Sequence, residues 1–212
     1  MIVLSHRGLW RTNQEKNTEI SFNRSFELGF GTETDIRDYC GELVISHDIP
    51  HSSSMPFNDF LEIYSSYSKS LPLALNIKAD GLQDKLLTSL NKYKITNYFV
   101  FDMSVPDGLG YLKSGLKTFT RQSEFEPIPS FYEGAHGVWL DEFDDHWINQ
   151  TIVLNHLRQQ KRVCIVSPEL HKRPNENEWV DYKKINDELI DKENLMICTD
   201  LPEEADRIFN GN

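Results

Sequence analysis

The sequence predicts a TIM-type (β/α)8 barrel, and three observations carry that prediction. Eight short apolar runs each end in polar or charged residues, helix-like stretches separate them, and SHRGLW has one glycine where a doubly wound sheet would carry a glycine-rich phosphate loop. Regular alternation of strand and helix gives parallel strands joined by crossovers, and the missing loop disfavours the doubly wound alternative. Elements and connections of ordinary length use up the 212 residues, so one domain over 1–212 is expected.

In chain order the runs are MIVLSH, GTETDI, LALNIK, YFVFDMS, LKTFTRQ, GVWLDE, RVCIVSP and LMICTD. Candidate helices lie at about 18–29, 57–69, 82–94, 106–113, 147–160, 181–191 and 203–210. The segment after the fifth run, EFEPIPSFYEG, is too interrupted by proline to make a good one. Residues 35–48 hold a second apolar run, LVIS, behind Tyr39-Cys40-Gly41, which reads as a turn and a returning strand. This small β-hairpin is an insertion after the second strand. Segments 52–56 and 172–178 read as loops.

The chain is 39% hydrophobic and 26% charged, an ordinary composition for a globular protein with one sizeable core. Its 22 Lys and Arg against 33 Asp and Glu leave a net charge of −11, a field that repels polyanions and disfavours a passive nucleic-acid or anionic-membrane binder. Any phosphate site must therefore make its own local positive charge. Cys40, Cys164 and Cys198 have no metal-ligand spacing, and the last two sit in apolar runs, so free thiols in a reducing compartment are expected. No stretch is apolar enough for an integral membrane span and no leader pattern opens the chain, which points to a cytoplasmic location.

In a (β/α)8 barrel the site lies at the carboxyl ends of the strands. Those ends carry His6 and Arg7, Glu33 and Asp35, Asn76 and Lys78, Asp102 and Ser104, Arg121 and Ser123, Trp139 and Asp141, Ser167 and Glu169, and Thr199 and Asp200. Histidine, arginine, lysine and a carboxylate pair on one rim make a phosphoester site. Glu33 and Asp35 are two apart on a strand, so they share a face and can offer oxygens to one hard divalent cation.

His6-Arg7-Gly8, Asn17-Thr18, Glu33-Thr34-Asp35, Gly41-Glu42-Leu43-Val44, His47-Asp48, Asn76-Ile77-Lys78 and the final Thr199-Asp200 together resemble the glycerophosphodiester phosphodiesterase family. The resemblance spans the chain and is most specific in its first fifty residues. It implies a TIM barrel with a small hairpin insertion that hydrolyses phosphodiesters with a bound divalent metal. It further implies that His6 and His47 are the catalytic histidines, that Arg7 binds phosphate, and that Glu33 and Asp35 ligate the metal. The chemistry agrees, since a phosphodiester needs one group to take a proton from the attacking oxygen and another to protonate the departing alkoxide.

The sequence departs from the family pattern at 76, where a third acidic ligand is replaced by Asn76, whose amide offers an oxygen without charge. Lys16 stands where an acid usually precedes Asn17, with Glu15 one residue away as a candidate substitute. Lys78 and Arg121 are further phosphate-binding candidates, and Trp139 is a candidate wall for the alcohol part of the substrate. Glu169 and His171 are possible substrate contacts, while His51, His136, His146 and His156 read as structural.

The expectation is a metal-assisted phosphodiesterase of lipid metabolism acting on a small phosphodiester with Mg2+ or Ca2+, or alternatively Mn2+. A phospholipase C-like enzyme that forms a cyclic phosphate is the nearest alternative, and a catalytically silent phosphate-ligand binding module is the other. The leaving alcohol and the oligomeric state stay open.

Overall fold

A computed structural model describes residues 1–211. Its strands are β1 (Ile2–His6), β2 (Gly31–Tyr39), β3 (Glu42–Ile45), β4 (Met55–Pro56), β5 (Leu73–Ile77), β6 (Tyr98–Phe101), β7 (Phe119–Gln122), β8 (Gly137–Leu140), β9 (Arg162–Val166) and β10 (Leu195–Thr199). Its helices are α1 (Glu19–Glu27), α2 (Phe57–Ser65), α3 (Gln83–Tyr93), α4 (Val105–Lys113), α5 (Gln150–Arg158), α6 (Glu176–Glu188) and α7 (Pro202–Asn210). Apart from the β3–β4 insertion, strands and helices alternate in the predicted order. The proline-rich segment after β7 makes only a 3-10 turn at Tyr132–Gly134, as its composition predicts. Two boundaries differ: β4 takes Met55 and Pro56 from one segment read as a loop, pairing them with Ile45 and Val44, and α6 starts at Glu176, inside the other, because Trp179, Tyr182 and Ile185 recur at helical spacing and are buried.

Backbone contacts divide the described residues into two compact units, residues 5–118 and residues 1–4 with the chain from 119 onward. In the first unit the strands run in the order β4-β3-β2-β5-β6, with the end of β1 along β2. Strands β2, β5 and β6 are parallel, with Asp35 beside Asn76 and Asn76 beside Phe101. The hairpin is antiparallel, pairing Ile36 with Ile45 and Tyr39 with Glu42.

Strand alternation decides which residues face the helices. Ile36 of β2, Leu73, Leu75 and Ile77 of β5 and Val100 of β6 join Phe22, Phe60, Tyr64, Leu86, Leu90 and Tyr111 in one core. Phe22 and Phe60 meet edge to face at 4.6 Å. Truncating either to Ala would cost about 3–5 kcal/mol. The intervening residues, Glu33 and Asp35 on β2 and Ala74 and Asn76 on β5, therefore turn to the other face of the sheet.

In the second unit the order is β10-β9-β8-β7, all parallel, with the start of β1 beside β10. Asn210 at the end of α7 donates to the Met1 carbonyl at 3.0 Å and ties that strand to the last helix. The fully buried Glu142 accepts from the Trp147 and Ile148 amides at 2.9 and 2.7 Å and from the Tyr182 hydroxyl at 2.8 Å, which closes the loop after β8. Cys164 and Cys198 are buried and in no disulfide, whereas Cys40 is exposed at the hairpin turn. No helix among the described residues is long and apolar enough to cross a membrane.

Candidate active site

The site is built in the first unit from the ends of β1, β2, β5 and β6. Thr32 and Ser5 hydrogen-bond on one side of their strands at 2.9 Å, which sends His6 and Glu33 to the opposite side. There His6 Nε2 lies 3.9 Å from Glu33 Oε2. The next residue, Arg7, adopts a left-handed conformation with φ 60° and brings Nε to 3.0 Å from Asp35 Oδ2. That pair is an ion pair by distance only, for the Nε–H is not aligned on a partner. Gly8, at φ 81°, lets the chain leave Arg7 past Ser21, whose Oγ a Cβ on Gly8 would meet at 2.5 Å.

Lys78 completes the polar face from β5. Its ammonium is 3.0 Å from Asp102 Oδ2 and 3.8 Å from Asp35 Oδ1. Three carboxylates, Glu33, Asp35 and Asp102, thus face the two fixed cations Arg7 and Lys78. Burial, and then the Asp35 carboxylate, push the Glu33 carboxyl up to about 7, against the pull of His6, Arg7 and Lys78.

Glu33 Oε2, Asp35 Oδ1 and Asn76 Oδ1 are all buried and none has a hydrogen-bond donor. A buried oxygen without a donor is costly, and three on one face of two paired strands, with Asp35 opposite Asn76 and Glu33 two residues before Asp35, fit a hard cation that takes oxygen ligands. Among the described residues no group of three or more His, Cys, Asp or Glu side chains is arranged to hold a metal. The two observations agree, since the third oxygen here belongs to the Asn76 amide.

His47 follows the hairpin, one residue after Ser46, whose amide donates to the Asp35 carbonyl at 3.0 Å. Its ring is partly exposed, and Nδ1 lies 2.9 Å from Asp48 Oδ1. A carboxylate only accepts, so Nδ1 carries a proton, and in the neutral imidazole Nε2 then keeps the lone pair. The described contacts do not join the His47 ring to Glu33 or Asp35.

Two residues gain roles that their types alone did not reveal. Asn17, at φ 59°, donates from Nδ2 to Asp35 Oδ2 at 2.9 Å and accepts the Thr34 hydroxyl at 2.8 Å. Asp102, at φ 70°, holds Lys78. The substitute role expected of Glu15 is corrected: its carboxylate accepts from the Arg11 amide at 2.7 Å and pairs with Arg24 at 2.6 Å, while Lys16 stacks on Trp10.

The second unit holds the remaining candidates. Arg121 pairs with Glu126 and lies over the Phe143 ring. Trp139 is buried within β8. Glu169 receives the Thr199 hydroxyl and the Asp200 amide, which gives the closing Thr-Asp pair a structural function. His171 Nε2 is 2.6 Å from Asp141 Oδ1. His156 is buried between Gln122 and Tyr132, and burial lowers its pKa.

No protein-family model matches the chain, and no curated protein matches it. Solved structures do. A glycerophosphodiester phosphodiesterase candidate from Galdieria sulphuraria is 17% identical, with a TM-score of 0.76 over 99% of this chain and 97% of that one. A glycerophosphodiester phosphodiesterase from Thermotoga maritima is 16% identical, with a TM-score of 0.62 over 96% of each chain. An Oleispira antarctica phosphodiesterase, in complex with its product sn-glycerol-3-phosphate, is 15% identical, with a TM-score of 0.65 over 99% of this chain and 97% of that one. The chain has the glycerophosphodiester phosphodiesterase fold. Identities this low establish the fold, and the chemistry rests on the residues described above.

Proposed function

We propose that this protein is a metal-assisted phosphodiesterase acting on a glycerophosphodiester or a related small phosphodiester. The observation that carries the reading is the set of three unmatched buried oxygens, on Glu33, Asp35 and Asn76, beside Arg7 and Lys78. Those three residues would hold Mg2+, Ca2+ or Mn2+. Bound there, the cation supplies positive charge to the phosphoryl oxygens.

Arg7 and Lys78 bind the phosphate and offset the charge that builds on it in the transition state. His47, with Nδ1–H directed at Asp48, offers Nε2 as the base that takes a proton from the attacking oxygen. His6, beside the Glu33 carboxylate, supplies the proton to the departing alkoxide. The Oleispira enzyme's product complex supports a glycerol phosphate product. The three cysteines, none in a disulfide, support action in a reducing, cytoplasmic compartment.

The deciding experiment is phosphorus NMR of glycerophosphodiesters, lysophospholipids and polyol phosphodiesters incubated with the protein and each metal, with and without chelator. Metal-dependent release of a phosphomonoester supports the reading, and a cyclic phosphate as first product would move it to the cyclising class. Phosphate-ligand binding without turnover under any metal would identify a silent binding module, the reading that the neutral Asn76 favours.

A further inference from the structure

Asp102 stands apart from the other carboxylates of the site. It follows β6 directly, in a left-handed conformation with φ 70° that places its carboxylate against the Lys78 ammonium at 3.0 Å. Aspartate tolerates this backbone region better than most residues, yet it is uncommon. Neither side chain is sealed from solvent, with Asp102 24% and Lys78 19% exposed, so a ligand can reach the pair.

An ammonium has three donors. One is taken by Asp102 Oδ2, and Asp35 Oδ1 at 3.8 Å is too far for a second hydrogen bond. Lys78 therefore retains donor capacity for a phosphoryl oxygen while Asp102 stays beside it. A bound phosphoryl group then meets the cation and a fixed negative charge together.

We propose that Asp102 is a specificity-determining residue that tunes the site for monoanionic phosphodiesters and against dianionic phosphomonoesters. The inference rests on the phosphodiester reading and deepens it. A diester carries one negative charge, whereas the monoester left after hydrolysis carries close to two at pH 8, above its second pKa of about 6. One added carboxylate repels the dianion about twice as strongly as the monoanion. Asp102 thereby weakens product retention more than it weakens substrate binding, and it does so while keeping Lys78 in position.

The test uses two ligands of similar shape and different charge, glycerol 3-phosphate and glycerol 3-sulfate, titrated calorimetrically at pH 8 with metal present. Proteins are the wild type, Asp102→Asn and Asp102→Glu, with glycerophosphoglycerol hydrolysis followed in parallel. In Asp102→Asn, affinity for the phosphate should rise relative to the sulfate by about tenfold. Asp102→Glu should keep the wild-type ratio, which a merely structural role would not require.

An unchanged ratio in Asp102→Asn, with both ligands binding, overturns the proposal and leaves the phosphodiester reading intact. A ratio lost equally in Asp102→Glu overturns the assignment to charge. If Asp102→Asn does not fold, the wild type decides: sulfate binding as tightly as phosphate supports the proposal, and a tenfold preference for phosphate overturns it. If the wild type binds neither ligand and leaves the diester intact, the phosphodiester reading itself fails and the proposal falls with it.

Discussion

Asn17 locks Asp35 in place, donating to Oδ2 at 2.9 Å through an amide whose oxygen is itself fixed by the Thr34 hydroxyl at 2.8 Å. The bond leaves Asp35 Oδ1 directed elsewhere, buried and without a donor. Asn17 thus decides which carboxylate oxygen is available to a cation. Its φ of 59° adds a second constraint, since asparagine accepts the left-handed region better than alanine does.

Asn17→Ala should accordingly lose a partly buried hydrogen bond to a charged group and strain the turn. The expected cost is about 2–4 kcal/mol of stability, read by urea denaturation. Metal affinity should fall as well, because Asp35 is then free to rotate. Unchanged metal affinity in a folded Asn17→Ala would show that Asp35 needs no such lock.

His6→Ala and His47→Ala should each lower kcat by roughly 10²–10⁴ with the fold retained, because each removes a proton transfer. Asp48→Asn should produce a smaller loss, through the tautomer of His47 rather than its presence. Near-normal turnover in folded His47→Ala, measured where chemistry is rate-limiting, would remove His47 from the mechanism.

Asn76→Glu should act in opposite directions on the metal-free and metal-loaded protein. Without metal, a third buried carboxylate beside Glu33 and Asp35 should destabilise the fold by about 1–3 kcal/mol. With Ca2+ or Mg2+ the same group should tighten binding at least tenfold, since it adds a charged ligand. Thermal melts with chelator and with metal should therefore cross. Parallel shifts in both conditions would place the metal elsewhere.

His156 supplies a pH test away from the site. Burial holds its pKa below the unfolded value of about 6.5, so the unfolded chain binds the extra proton first as pH falls. Its contribution to stability is present above that value and is lost as pH drops toward the folded pKa. Comparing wild type with His156→Gln in urea at pH 5 and 7.5 should show the wild type losing more stability on acidification, by at most about 1.4 kcal/mol per pH unit. An equal loss in both proteins would mean that His156 does not titrate on unfolding.

The succession of eight strands with its hairpin, the gap where a helix is missing after β7, and the polar strand ends were all legible in the sequence. Periodicity records which face of each element avoids water: Leu73, Leu75 and Ile77 alternate with Ala74 and Asn76 whether or not the neighbouring strand is known. Glu33 and Asp35 share a face for the same local reason.

Tertiary structure decided what those faces meet. Strand register put Asn76 beside Asp35, and the turns at Asn17 and Asp102 aimed side chains that residue type alone left undirected. Arg121 went to Glu126, Glu169 to Thr199, and Glu15 to Arg24. Burial and alternation are properties of one segment and are encoded along it. The partner of a charged side chain depends on which segments come together and on backbone angles at single residues, so a linear pattern carries almost no record of it.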